Sequence, residues 1–153
     1  MGEQTVECSI SCEVPVDVLG RFCQDVAAEA EWVPMLEKFE LLESDDEGRV
    51  RRGMLSSSIL GMVKETYEMH YWYEPNVMHY KLPTPSKLQK VQEGTYSAID
   101  NGDGTSTFEI FLRTDNSAPA PGFVKKKAAE KVQDMIMSAA KKFVEANRAR
   151  YEA

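Results

Sequence analysis

The chain has 153 residues, 42% of them hydrophobic and 28% charged, with a formal charge of −7 at neutral pH. This size and balance fit one globular domain, residues 1–153, with a hydrophobic core of its own. The acidity argues against a nucleic-acid binder, which needs a basic face, and no apolar run reaches membrane-spanning length. The start, MGEQTVECS, lacks the basic head and apolar centre of a signal peptide. With Val6 in sixth place it also misses the myristoylation pattern.

TVECSISC alternates Val6, Cys8, Ile10 and Cys12 with polar residues, the period-two signature of a half-buried strand. Cys8 and Cys12 on one strand stand roughly 13 Å apart at ~3.3 Å per residue, too far for a bridge. With Cys23 they make three cysteines, which read as reduced thiols of a cytoplasmic protein. Pro15 and Asp17 then open a helix, whose Val18, Leu19, Phe22, Cys23 and Val26 recur at three and four. AAEAEWVPML forms a second helical piece that Pro34 ends.

The texture next turns to strands: KFELLE, RVRRGMLSS after the SDDEG turn, VKETYEMHYWYE, VMHYKL after Pro75-Asn76, KVQEGTYSAI, and TFEIFLRT. DNGDG between the last two is a hairpin signal. From about Gly122 to about Arg150 a final helix places Val124, Ala128, Val132, Met135, Ile136, Ala139, Phe143 and Ala146 in one stripe. The order is strand, two short helices, six strands and a long helix: an α+β domain with an antiparallel sheet of about seven strands.

An antiparallel sheet buries its apolar face against a second layer. The final helix is about 10 Å across, whereas seven strands at ~4.8 Å spacing span roughly 30 Å. The sheet must therefore curl around the helix, and the uncovered part of its concave face is the natural place for a small-molecule cavity.

In the crowded strand KETYEMHYWYEP the odd positions, Glu65, Tyr67, Met69, Tyr71 and Tyr73, form the inward row, while His70 and Trp72 turn outward. Glu65 is the lone acid of that row. It is either paired near the strand end or a polar anchor and acid–base candidate in an apolar pocket. Tyr80, Tyr96, Phe108 and Ile110 extend the expected lining from neighbouring strands, and Met135, Ile136 and Ala139 oppose it from the helix. Lys125, Lys126 and Lys127 read as a solvated run in the first turns of that helix. A glycine-rich phosphate loop, metal-ligand spacing and a G-x-S-x-G elbow are all missing. With His70 and His79 the only histidines, nothing points to a metal or other cofactor.

The element order, the stretch VPVDVLGRF…EWVPML with Trp32 and Pro34, the strand end MHYKL, the hairpin NGDGTSTFEI and the long terminal helix together resemble the helix-grip superfamily. That superfamily includes START lipid-transfer domains, birch-pollen-allergen-like proteins and bacterial polyketide cyclases, and the resemblance covers approximately residues 4–150. It implies a gate over the pocket at residues 56–62 and 83–87, with Ile59, Leu60, Met62, Pro83 and Pro85. It also implies one of two activities. The first is binding or transport of a small hydrophobic molecule (a lipid, isoprenoid or polyketide) with no nucleic-acid partner and at most transient membrane contact. The second is a polyketide cyclase or aromatase with a Glu and a Tyr as its acid–base pair. A partner-binding protein with a filled core is a third reading.

Overall fold

The computed structural model describes residues 3–59, 63–117 and 120–153. In chain order these form β1 (Gln4–Cys12), α1 (Val16–Gln24), a 3-10 turn (Val26–Ala28), α2 (Glu29–Trp32), β2 (Leu36–Ser44), β3 (Val50–Ile59), β4 (Val63–Glu74), β5 (Val77–Lys81), β6 (Gln89–Asp100), β7 (Ser106–Asn116), α3 (Gly122–Ala146) and a closing 3-10 turn (Arg148–Tyr151). All seven strands join one antiparallel sheet in the order β1-β7-β6-β5-β4-β3-β2. This is the order of elements read from the sequence.

Irregular strand pairing helps the sheet curl. Register shifts interrupt the β2–β3 pairing at three places and β6–β7 once, near Gln89, and each shift bends its strand and adds twist. The hairpin joining β6 and β7 carries Gly102 and Gly104 at φ +85° and +88°, backbone that side-chain-bearing residues rarely adopt. The β4–β5 turn uses Asn76 at φ +62°, and that asparagine lies against Gly20 of α1, where a β-carbon would overlap its side chain. The short helix is thus seated on the middle of the sheet.

Helix α3 packs chiefly on β1, more lightly on β7 and α2, while α1 covers β5, β6 and β7. Phe22 of α1 is the hub of the core. Its ring lies 5.1 Å from Trp32, 5.9 Å from Phe108, 6.0 Å from Phe143 and 5.7 Å from Tyr151. Phe108 and Ile110 on β7 are fully buried, so they belong to this closed end.

Two features of the long helix differ from expectation. Asn147 donates from its backbone and its side-chain Nδ2 to the Phe143 carbonyl, both at 2.9 Å. The α-helix therefore stops at Ala146 and the chain tightens into a 3-10 turn. Its core face is also rotated: the buried residues are Gln133, Ile136, Met137, Ala140 and Val144, while Met135 is 46% exposed and Val124 43%. The predicted stripe spread over more than one face, and Val124 and Ala128 in the first turns of α3 are exposed.

Gly94 of β6 allows close approach of its neighbours. A β-carbon there would overlap the Phe111 carbonyl oxygen and stand 3.1 Å from Tyr80 Oη. Since the first obstacle is backbone, relaxation is costly, and Gly94→Ala is expected to lower stability by about 1–3 kcal/mol. Urea unfolding followed by circular dichroism measures this.

Candidate functional site

The 3-10 turn before α2 and the extended Val33 after it leave a helix of only four residues, EAEW. Residues three apart share a helix face, and here Glu29 and Trp32 both turn to the interior, 9% and 8% exposed. No described residue hydrogen-bonds the Glu29 carboxyl. Burial, reinforced by the charge of Asp25, pushes its pKa from the ordinary 4.5 up to about 8. A carboxyl in such surroundings keeps its proton at neutral pH and acts as a hydrogen-bond donor.

Around it stand five tyrosines from the concave face: Tyr67, Tyr71 and Tyr73 of β4, Tyr80 of β5 and Tyr96 of β6. Burial pushes each phenol upward in pKa, and the negative charge of an ionised Glu29 would push each further. Two are satisfied by protein. Tyr67 Oη is 2.7 Å from Ser57 Oγ, and Tyr73 Oη donates to the Val50 carbonyl at 2.5 Å. Among the described residues the hydroxyls of Tyr71, Tyr80 and Tyr96 have no hydrogen-bond partner. They and the Glu29 oxygens are not among the sealed, unpartnered atoms, which are Trp32 Nε1 and Asp115 Oδ1. Tyr80 meets Tyr96 edge-on at 5.7 Å, and Trp32 lies 6.3 Å from Tyr96. The cluster therefore offers several neutral groups, each able to donate and to accept, that are not engaged by the described residues.

The layer carrying Glu29 is fastened from the C-terminus. Tyr151 Oη donates to Asp25 at 2.7 Å, Arg21 donates to the Tyr151 carbonyl at 2.8 Å, and Arg150 grips both oxygens of Glu31 at 3.0 and 2.7 Å.

Glu65, the acid singled out from sequence, is committed elsewhere. Its carboxylate accepts the Leu88 backbone N–H at 2.7 Å and Gln89 Nε2 at 2.9 Å. Burial would raise its pKa, but these bonds, with others from Ser86 and Lys87, outweigh it and hold the group below the usual carboxylate value. Glu65 is an ionised clasp on the loop between β5 and β6, the paired arrangement near the strand end that is one of its two readings from sequence, and not a free acid–base group.

Of the other residues expected to line a site, Met69, Tyr71, Tyr80, Tyr96 and Ile136 are buried on the concave side, and Tyr67 and Ala139 are half-buried beside them. Met135 is on the exposed face of α3 and does not join them. Pro83 and Pro85 are exposed, Ile59 ends β3, and Leu60 and Met62 lie outside the described residues. His70 and Trp72 are on the outer face, with His70 bonded to Glu68 at 2.6 Å and Trp72 stacked on His79 at 5.1 Å. Lys125 donates to the Asn116 carbonyl at 2.9 Å, and Lys126 and Lys127 are exposed.

Open depressions occur outside the grip. One of about 500 Å³ is bounded by Arg51, Arg52, His70, Trp72 and Lys81, and another of about 290 Å³ adjoins the β2–β3 turn. Between sheet and helix the tyrosine side chains fill much of the space where a cavity was expected. Nothing local distinguishes Glu29, because one acid within AAEAEW carries no periodic signal. The available hint was its three-residue spacing from Trp32, which puts both on one helix face.

No protein-family model and no curated protein sequence matches the chain. Solved structures do. A START superfamily protein from Mycobacterium smegmatis superposes with a TM-score of 0.84 at 20% identity, over 93% of this chain and 97% of that one. The fold is the helix grip. The Zhui aromatase/cyclase from Streptomyces sp. R1128 matches with a TM-score of 0.76 at 17% identity, over 97% of this chain and 94% of that one. Ara h 8.0201 matches at 0.65 and 16%, over 95% and 100%. At such identities the likeness concerns the fold, and these helix-grip relatives include both a START superfamily protein and a cyclase.

Glu29 gives this helix-grip chain a definite pH signature. Its folded pKa lies above the unfolded value of 4.5, so between those values only the folded state holds the proton. Stability should fall as pH rises from about 5 to about 8, by an amount on the order of a few kcal/mol. In Glu29→Gln, which cannot ionise, this decline should be absent; urea unfolding at pH 5, 6, 7 and 8 compares the two.

Proposed function

We propose that this protein binds a small hydrophobic molecule, of lipid, isoprenoid or polyketide type, between the concave sheet face and α3, with the ligand's polar end at Glu29. The observation that carries this reading is a set of polar groups on the concave side, the Glu29 carboxyl and the Tyr71, Tyr80 and Tyr96 hydroxyls, which have no hydrogen-bond partner among the described residues and are not sealed off. Polar groups so placed take a partner from water or from a ligand. Binding requires the tyrosine rings to move aside. The entrance in this reading lies between residues 56–59 and the loop at 83–87 that Glu65 clasps. The three free thiols suit a reducing compartment, the cytoplasm.

The protein contains two tryptophans, Trp32 beside the proposed site and Trp72 on the outer face, so Trp72→Phe leaves a reporter at the site. Titration with apolar ligands should quench or shift Trp32 emission saturably, and native mass spectrometry should show one added mass per chain. Emission unchanged across lipid, isoprenoid and aromatic polyketide panels, with no adduct by mass, would sink the reading.

A second reading draws on the same carboxyl. A group that exchanges its proton near pH 8 is suited to acid–base catalysis at neutral pH, and enolisation or dehydration of a polyketide needs little more. Glu29 then takes the role that the sequence assigned to Glu65, with a tyrosine hydroxyl as its companion. On a linear poly-β-ketone substrate, Glu29→Gln should lower cyclisation by roughly 10²-fold or more while the circular dichroism spectrum is unchanged. Full activity in that variant removes the catalytic assignment.

A further inference from the structure

The binding reading leaves open what kind of polar end the site accepts, and the charge distribution of the interior addresses that. The buried polar or charged residues among those described are Glu29, Gln89, Ser106 and Gln133; none is cationic. The inward rows of β4, β5 and β6 present tyrosines, methionines, Gly94, Ala98 and one acid, Glu65. Both histidines sit on the outer face, bonded to Glu68 and Glu74. Arg49 approaches the site's edge, 4.5 Å over the Tyr73 ring, but its guanidinium is occupied by Asp45 and Glu47 at 2.9 and 2.7 Å. Arg150 is likewise held by Glu31.

An anionic head group entering this space would lose its hydration and find no counter-charge, a cost of several kcal/mol for an unpaired ion. At the loop bordering the entrance the ionised Glu65 stands beside the exposed Lys87, so the selection rests on the interior. A neutral oxygen meets the opposite situation. The Glu29 carboxyl and the Tyr71, Tyr80 and Tyr96 hydroxyls are all able to donate, whereas the Trp32 indole N–H is sealed. A neutral oxygen can accept from these groups without bringing a charge into the interior.

Resting on that binding reading, we propose that the site selects an uncharged molecule that offers a carbonyl oxygen to Glu29 and the tyrosines, and rejects carboxylates, phosphates and sulfates of the same shape. The apolar body of the ligand contributes affinity, while the head group is chosen by the absence of a buried cation among the described residues and by the neutral groups that can donate to it. Glu29 acts here as a specificity determinant: it donates to a neutral carbonyl, and it supplies no positive charge to offset the desolvation of an anion.

Matched pairs test this by isothermal calorimetry at pH 7 with the full chain: 2-acetylnaphthalene against 2-naphthoate, 2-undecanone against decanoate, and 2-pentadecanone against tetradecanoate. In any pair that binds, the ketone should bind about tenfold or more tighter than the carboxylate. Glu29→Ala should weaken the ketone by about tenfold and narrow the preference, with Glu29→Gln, which keeps an N–H donor, lying between. If Glu29→Ala does not fold, as judged by circular dichroism, the Gln variant carries the comparison. Equal or tighter binding of the carboxylates overturns the inference while leaving the binding reading intact. An undiminished ketone preference in both variants overturns the role given to Glu29. If no member of any pair binds, the binding reading fails and this inference with it.

Discussion

One helix must serve seven strands, and the rest of the molecule follows from that mismatch. Helix α3, 25 residues long, is about 10 Å wide, so it covers one edge of the sheet and reaches no further. It lies chiefly on β1, and the curl of the sheet brings the remaining strands around with far fewer contacts to it. The concave face of β3 to β6 is left to whatever else the chain supplies. Here that is α1, the four residues of α2, and the bulk of the tyrosines themselves.

The same geometry explains why an acid is tolerated in the interior. Glu29 sits on the shortest helix of the structure, at the seam where the α1–α2 layer meets the uncovered strands. Apolar packing is dense on the α1 side, around Phe22, Phe108 and Tyr151, and gives way on the other side to hydroxyls. The C-terminal turn holds this layer in place through Tyr151, Arg150 and Arg21. Asp25, fastened by Tyr151, also raises the pKa of Glu29, so the tie that positions the acid helps keep it neutral. The two inward-facing acids divide the work by environment alone. Glu65, surrounded by donors from its loop, is ionised and structural, whereas Glu29, surrounded by rings and phenols, is protonated and uncommitted.

Binding and catalysis are close neighbours in such an arrangement. A neutral acid among phenols can hold a carbonyl or, with modest change in position, take part in moving a proton beside it. That the helix-grip fold occurs in a START superfamily protein and in an aromatase/cyclase is consistent with one scaffold that supplies a shielded face and leaves the chemistry to a few side chains.

The sequence by itself determined the order of elements, the hairpins at Asn76 and Gly102, and the two faces of β4, because each is a local matter of period, turn chemistry or backbone freedom. From these it also determined that the sheet must wrap a helix. It misjudged what depends on contacts between distant segments. The stripe along α3 contained more apolar positions than one face holds, and only docking on β1 decided that Met137 and Ala140, not Met135 and Val124, would be buried. Glu65 and Glu29 are both glutamates without a distinguishing local pattern. Tertiary structure separated them, because a carboxyl's proton is governed by the donors and the dielectric around it, and those come from residues 20 to 70 positions away in the chain.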